Sequence, residues 1–326
     1  MSRLHTSLFG IIASCLVAIG PVRAEDYPSR PITIVVPMPP GGGLDVFARL
    51  VSENLPSAIK QEVIVENRAG GSGNIGTRAA ARSAPDGYTL LLGQTGSMSI
   101  NPTLFGAAAG YDPRKDFVPI GLIAEMPIIL TAHPSLPARS VSELIAMAKR
   151  EPGKLNIGVP TVGSMAYMAA EMFKSMAAVD MTIIPYKGTS PLTNDLLGGH
   201  VPVGFNNIAP SLTNIQAGNL RALGVASLKR SALLPEVPTV AEAGLPGFEA
   251  VVRYGLLAPA NTPRPVVELL NRELNTLLKR PDVRERIASV GAEPLTSTPE
   301  DYAADIDREE TKWGALLHKL NLNIGN

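Results

Sequence analysis

Short apolar runs alternate with amphipathic stretches along most of this chain. The apolar runs predict strands at residues 32–36, 63–66, 89–93, 128–132, 155–159, 182–185, 203–206, 222–226 and 254–258. The stretches between them repeat apolar residues at helical spacing, as in the segment 164–177. Strands that alternate with helices in this way are typical of α/β architecture with largely parallel sheets.

Helix starts are marked by capping residues and by prolines. The letters S-V-S-E from Ser140 predict a capping box for a helix over residues 141–150. Beyond the last predicted strand the pattern is helical only, and Pro263, Pro281 and Pro299 predict helix starts there.

A glycine-rich loop follows the first predicted strand. The letters P-M-P-P-G-G-G-L-D run from residue 37 to Asp45 and lead directly into an amphipathic helix. Three glycines leave backbone N–H groups unobstructed, and the helix N-terminus adds the positive end of its dipole. No Lys or Arg lies between residues 31 and 48, so backbone groups would hold an anion here. A tight turn that requires glycine only for its backbone is the alternative.

Polar or glycine-containing loops follow several other predicted strands. They read T-G-S at residues 95–97, T-V-G-S at 161–164, G-T-S at 188–190 and N-N at 206–207. Ligands of open α/β sheets bind outside the carboxyl ends of the strands. We therefore expect a cleft of small polar side chains and helix N-termini, suited to a small polar or anionic ligand.

The chain is long enough for two lobes, and no flexible linker separates them. We expect the chain to cross between the lobes on strands, near residues 124–128 and 250–254. Lobe 1 would then contain residues 25–125 and 251–326, and lobe 2 residues 126–250.

Residues 1–24 have the form of a secretory signal peptide. Arg3 precedes an apolar stretch over residues 8–20, and V-R-A at 22–24 fits a cleavage site after Ala24. We therefore expect export to the periplasm. Lipidation at Cys15 is the alternative, because I-A-S-C at 12–15 loosely resembles a lipoprotein processing site.

Charge and cysteine content exclude several classes of function. The full chain balances 29 Lys and Arg against 29 Asp and Glu, which argues against a nucleic-acid or anionic-membrane surface. Its one cysteine, Cys15, lies in the predicted signal peptide. Without it, the exported chain has neither a disulfide nor thiolate chemistry.

Motifs for cofactors and catalysis are weak or missing. G-S-G-N-I-G at residues 71–76 resembles a dinucleotide fingerprint, but it begins too far beyond the strand and Asp86 follows too early. His133, His200 and His318 lack partners at metal-ligand spacing. We therefore expect no cofactor, no metal and no catalytic residue. The enzyme alternative, a hydrolase or isomerase with Asp45 as general base, lacks a nucleophile–base pair.

Motifs over nearly the whole exported chain resemble one family. They include V-P-x-P-P-G-G-G-x-D at 36–45, V-E-N-R-x-G at 65–70, A-P-D-G-Y-T-L-L at 84–91, L-P-x-V-P-T-V-A-E-A-G at 234–244 and Y-G-L-L-A-P at 254–259. The chain resembles the Bug proteins, which are TctC-like periplasmic substrate-binding receptors of tripartite tricarboxylate transporters.

The resemblance implies a two-lobed flytrap, an α/β fold in which each lobe is a mostly parallel sheet flanked by helices. It would close on a small carboxylate and act as a monomer with membrane transporter subunits, without nucleic acid; signalling to a membrane kinase is the alternative. By resemblance, the first carboxylate-binding loop comprises Pro39, Gly41, Gly42, Gly43 and Asp45. Thr95, Gly96 and Ser97 would complete that lobe's share, opposite Thr161, Gly163, Ser164, Ala166, Thr189 and Asn206.

This chain departs from the family pattern at positions expected in the cleft. Met38 stands where Phe is frequent, Tyr167 where His is frequent and Asn206 where Asp is common. A less polar cleft favours a carboxylate with an apolar or aromatic body, unless Met38 or Tyr167 points into the core. Arg253, at the second crossing, is a candidate partner for a distal carboxylate of the ligand if its side chain faces the cleft.

Overall fold

The computed structural model describes residues 27–323, so the predicted signal peptide and the alternative at Cys15 lie outside the described residues. Strands and helices alternate along these residues, as the apolar pattern predicted. The strands are β1 (Ile32–Val36), β2 (Val63–Asn67), β3 (Thr89–Gln94), β4 (Phe117–Ala132), β5 (Asn156–Val159), β6 (Thr182–Pro185), β7 (Val203–Asn207), β8 (Arg221–Val225), β9 (Val251–Pro259) and β10 (Glu293–Pro294).

Beyond β9 the sequence predicted helices only, but the two-residue strand β10 lies among the last three helices. Helices follow most of the strands. They are α1 (Gly43–Asn54), α2 (Pro56–Ile59), α3 (Asn74–Ala81), α4 (Asn101–Phe105), α5 (Pro113–Asp116), α6 (Val141–Arg150), α7 (Met165–Ala177), α8 (Thr189–Leu197), α9 (Ile208–Gln216), α10 (Arg264–Leu278), α11 (Pro281–Ser289) and α12 (Pro299–Lys319).

The predicted cap of α6 is half confirmed. Ser140 accepts a hydrogen bond from the Glu143 N–H at 3.2 Å, as a capping box requires. The Glu143 carboxylate, however, accepts from the N–H of Arg139 at 2.7 Å instead of from that of Ser140. The cap therefore reaches one residue further back than the motif predicts.

Two groups of parallel strands are joined by a long antiparallel pair. β2, β1 and β3 pair in parallel in one group, and β6, β5 and β7 in the other. β4 and β9 pair antiparallel from Phe117 and Pro259 to Pro127 and Val251, and β9 also pairs antiparallel with β3. β10 pairs antiparallel with β4 at Ala124 and Glu125, and β7 and β8 pair antiparallel with β4 from Ile128 onward. Parallel pairing thus holds for three strands of each group, and the crossing strands make the sheet mixed.

β4 pairs with β7 of the second group and with β9, which in turn pairs with β3 of the first group. Both predicted crossings, near residues 124–128 and 250–254, fall within the paired region of β4 and β9. The residue boundaries of the lobes stay a prediction, which this topology supports.

Buried apolar side chains fill the space between the sheet and its helices. Phe205 of β7 stacks on Phe248 with ring centroids 6.0 Å apart. The ring of Phe173 in α7 packs edge-to-face against each of these two rings. In α12, Trp313 is fully buried and its indole N–H donates to Glu309 at 2.8 Å, so this side chain anchors the helix by packing. Among residues 27–323, no helix has the length and apolar character that a membrane span needs.

Candidate functional site

A cavity of about 360 Å³ lies where the carboxyl ends of strands from both groups meet. Its floor comes from the crossing strands, with Ile128 on β4 and with Val252 and Tyr254 on β9. The whole lining consists of Met38, Ser72, Gln94, Gly96, Asn101, Ile128, Pro160, Thr161, Val162, Gly163, Ser164, Met165, Ala166, Thr189, Asn207, Val252 and Tyr254. None of these lining residues carries a charged side chain, so a charged ligand would meet neutral donors and backbone.

Three helix N-termini of the second strand group reach this cavity. Ser164, Thr189 and Asn207 lie at the starts of α7, α8 and α9, and all three line the cavity. The Ser164 side chain caps α7, whereas α8 and α9 have no side-chain cap. First-turn N–H groups without a cap, together with the helix dipole, favour an anion.

The glycine loop after β1 is held by Asp45. Its carboxylate accepts hydrogen bonds from the Gly41 N–H at 2.9 Å, from Asn67 at 3.0 Å and from Arg49 at 2.9 Å. Asn67 in turn donates to the Met38 carbonyl at 3.1 Å. Burial alone would raise the pKa of Asp45, but the hydrogen bonds from Arg49, Gly41 and Asn67 lower it. Asp45 is therefore a brace for the loop that remains ionised at neutral pH.

The two glycines that start α1 differ in their surroundings. Gly42 is exposed, has an extended backbone and would place an added Cβ in open space. At Gly43 an added Cβ would lie 2.6 Å from the Tyr254 hydroxyl, so only glycine fits there. α1 also has no side-chain cap, which leaves its first N–H groups open.

The structure brings seven of the predicted site residues to the cavity. These are Met38, Gly96, Thr161, Gly163, Ser164, Ala166 and Thr189. Pro39, Gly41 and Gly42 are exposed in the adjoining loop, and Gly43 and Asp45 lie in the first turn of α1. Thr95 and Ser97 are buried behind the lining, where Thr95 accepts from the Arg253 N–H and Ser97 bonds to the backbone of Gln94.

The remaining predicted residues, Tyr167, Asn206 and Arg253, are placed away from the cavity lining. Tyr167 packs against the main core, which is the alternative to a position in the cleft that the sequence analysis gave for it. Burial raises the pKa of Tyr167 to about 12. Asn206 is fully buried and accepts from the N–H of Asn207, its neighbour at the cavity. Arg253 pairs with carboxylates of the protein itself, of which the Glu309 carboxylate lies 2.9 Å away.

The sequence prediction missed Ser72, Gln94, Asn101 and Tyr254, among other lining residues. Asn207 also lines the cavity and belongs to the N-N loop that was expected there. Ser72 belongs to the glycine motif that resembled a dinucleotide fingerprint. The motif forms a turn with positive φ at Gly71, Ser72 and Gly73, and Asn101 donates to the Ser72 carbonyl at 3.0 Å. Tyr254 could have been found from strand alternation, because Val252 and Tyr254 must share one face of β9.

Two groups of strands, joined by crossing strands, with a cavity between them define a class: two-lobed solute-binding proteins. The family model described as "Tripartite tricarboxylate transporter family receptor" matches residues 47–322. The chain therefore belongs to this family of periplasmic solute-binding receptors, the TctC or Bug family, as its motifs indicated.

Relatives match the chain along nearly its full length. Protein BugT of Bordetella pertussis is 38% identical, and the match covers 99% of each chain. Rpa4515 of R. palustris, solved with adipate, is 36% identical with a TM-score of 0.80, over 90% of this chain and 98% of that one. MatC of Rhodopseudomonas palustris, solved with bound malate, is 33% identical with a TM-score of 0.77, over 89% of this chain and 100% of that one. These similarities confirm the two-lobed α/β fold.

Proposed function

We propose that this protein captures a small carboxylate in the cavity between its lobes and delivers it to membrane subunits of a tripartite tricarboxylate-type transporter. The observation that carries this proposal is the lining: it combines uncapped helix N-termini with neutral polar side chains and contains no charged group. Such a lining supplies hydrogen-bond donors for a carboxylate and no counter-charge for an ammonium group.

The ligand that fits best has an aliphatic body. Met38, Ile128, Val252 and the ring of Tyr254 give one part of the cavity an apolar wall, while polar groups lie at the loops. Burying a short methylene chain against such a wall contributes about 0.8 kcal/mol per CH₂. The adipate and malate bound by the two relatives are dicarboxylates, which supports this ligand class.

Closure of the lobes would bring the loop of residues 39–43 onto the ligand. The exposure of Gly42, the free space beside it and the lack of a side-chain cap on α1 support this role. We place the hinge in β4 and β9, with lobe 1 formed by residues 25–125 and 251–326 and lobe 2 by residues 126–250. The exported form would be a periplasmic monomer cleaved after Ala24.

A thermal-shift and calorimetry series tests the ligand class. Ligand-free protein of residues 25–326 is titrated with adipate, malate, citrate, aspartate and the neutral diamide of adipate. A ligand that binds the folded state raises Tm according to its concentration over Kd. We expect adipate to raise Tm more than aspartate and the diamide to have no effect. No shift with any carboxylate, or tightest binding of aspartate, would contradict the proposal.

A second measurement tests the transport partner. Detergent-solubilised membranes of the source cell are passed over the immobilised receptor with and without its ligand. We expect ligand-dependent capture of transporter subunits, whereas capture of a membrane kinase instead would favour the sensory role. Light scattering measures the mass of the ligand-free receptor in solution and so tests whether it is a monomer.

A further inference from the structure

Tyr254 lies on the crossing strand β9, and its ring packs against helix α1. In β9 it is the register partner of Gln94 on β3 and of Ala124 on β4. Its ring packs on Phe47 of α1 with centroids 4.7 Å apart. The residue is 3% exposed and yet lines the cavity, so the small accessible part of it faces the ligand space.

The hydroxyl of Tyr254 has no hydrogen-bond partner among residues 27–323. The hydroxyl oxygen is not among the fully buried unpaired side-chain atoms of these residues, which belong to Thr77 and Glu310, so it is accessible from the cavity. A hydroxyl that faces a cavity without a protein partner is free to bond a ligand atom. The matched hydroxyls of Tyr27 and Tyr111 are paired inside the protein, to the carbonyls of Gly87 and Ser97 at 2.7 Å each. Tyr302 is equally buried and its hydroxyl also has no hydrogen-bond partner among the described residues, but Tyr302 does not line the cavity. Tyr254 combines an unpaired hydroxyl with a place at the cavity wall.

The position of this hydroxyl relative to α1 defines what it would meet. It lies where a side chain at Gly43 would begin, at 2.6 Å from an ideal Cβ. Gly43 is the first residue of a helix without a side-chain cap. The Tyr254 hydroxyl and the open N–H groups of this first turn therefore flank the same small space.

Resting on the proposed function, we propose that Tyr254 is a specificity-determining residue, whose hydroxyl donates directly to a carboxylate of the bound ligand beside the N-terminus of α1. Burial raises the pKa of this hydroxyl, which therefore keeps its proton at neutral pH and acts as a donor. A hydrogen bond from O–H to an ionised carboxylate is short and strong compared with a neutral one. An ammonium group in the same space would face the N–H groups and the positive dipole end of α1, with the hydroxyl oxygen as an acceptor but no counter-charge, so it would bind less well.

The test is Tyr254→Phe, which keeps the ring and its packing on Phe47 and removes only the hydroxyl. Adipate and malate are the probes, measured by calorimetry on ligand-free protein. Loss of a hydrogen bond to a charged group predicts about 10- to 100-fold weaker binding. The Tm of the ligand-free variant should match that of the wild type, because the hydroxyl stabilises nothing inside the free protein.

Tyr27→Phe is the matched control, since its hydroxyl bonds to a backbone carbonyl and it does not line the cavity. We expect this variant to lose Tm and to keep its affinity. Unchanged affinity of Tyr254→Phe would overturn the inference while leaving the proposed function intact. A clear drop in the ligand-free Tm of Tyr254→Phe would also overturn it, because the hydroxyl would then be bound within the protein. A wild type that binds no carboxylate would instead refute the proposed function.

Discussion

Arg253 and Glu125 face each other as register partners across the two crossing strands, with Arg253 Nε 3.3 Å from a Glu125 carboxylate oxygen. Glu249, Asp305 and Glu309 surround the same guanidinium at 2.9–3.6 Å, and together these five residues form what we call the hinge cluster. It lies on the face of β9 opposite Val252 and Tyr254, away from the cavity. Arg308 also pairs with Asp305 and Lys312 with Glu249, whereas Glu125 and Glu309 pair with Arg253.

We predict that Glu125→Gln stabilises the protein at neutral pH. Burial raises the pKa of Glu125, while Arg253 opposes that rise. A carboxyl whose pKa is raised by folding adds stability only where it is protonated, and that stability is lost as the pH rises through the folded-state pKa. The neutral amide avoids this loss. We expect the free energy of unfolding to rise by about 1 kcal/mol at pH 7.5, which corresponds to an increase in Tm of about 2 °C.

The difference between Glu125→Gln and wild type should shrink as the pH falls through the carboxyl range. Thermal scans from pH 7.5 to 4 measure it, and Glu236→Gln at an exposed position serves as the control. A lower Tm for Glu125→Gln at pH 7.5 would mean that the ionised form stabilises the cluster.

Removing the arginine should have the opposite and larger effect. Arg253→Met leaves the Glu125 and Glu309 carboxylates without their cationic partner, and an uncompensated buried charge costs about 3–5 kcal/mol. Urea unfolding measures this loss. Arg68→Met is the control, because the Arg68 side chain is 45% exposed and forms a surface ion pair with Glu66, so a loss of about 0–1 kcal/mol is expected there. Equal losses in the two variants would contradict the role given to Arg253.

Asp45→Asn should loosen the glycine loop. Burial alone would raise the pKa of Asp45, but hydrogen bonds from Arg49, Gly41 and Asn67 lower it. A lowered pKa means stability that is present above the ordinary carboxyl value and is lost as the pH falls through the folded-state pKa. We expect Asp45→Asn to cost about 1–3 kcal/mol at pH 7. That cost should fade in acid, and a cost that is constant between pH 7 and pH 3 would contradict the ionised brace.

The strands could be predicted well where apolar runs are uninterrupted. β1 and β6 have the predicted bounds, Ile32–Val36 and Thr182–Pro185. β4 was predicted only over residues 128–132, although it begins at Phe117. Pro119, Gly121 and Pro127 look like breakers in the sequence, and local pattern does not reveal the register shifts near Pro119 and Gly121 that accommodate them.

The candidate site was predictable at the loops and less so on the strands. Loop residues such as Thr161 and Thr189 follow strand ends, which the sequence marks clearly. Arg253 was a candidate because it is a cation at the crossing. Side chains alternate between the two faces of β9, however, so Arg253 lies on the face opposite Val252 and Tyr254. Its carboxylate partners on α12 lie more than 50 residues away in sequence, a contact that no local pattern reveals.

The glycine loop itself is tested by Gly42→Leu. The backbone at Gly42 is extended, with φ −83°, and an added Cβ meets open space, so the variant should fold with unchanged Tm. Its side chain would occupy the space in which the loop is proposed to meet a ligand carboxylate. We expect affinity for adipate or malate to fall at least about tenfold, equivalent to about 1.4 kcal/mol. Ala58→Leu, at an exposed position of α2, adds a comparable apolar side chain away from the cavity and should bind normally. If Gly42→Leu bound as tightly as Ala58→Leu, the loop would be a structural turn, and the ligand would be held by the cavity lining without it.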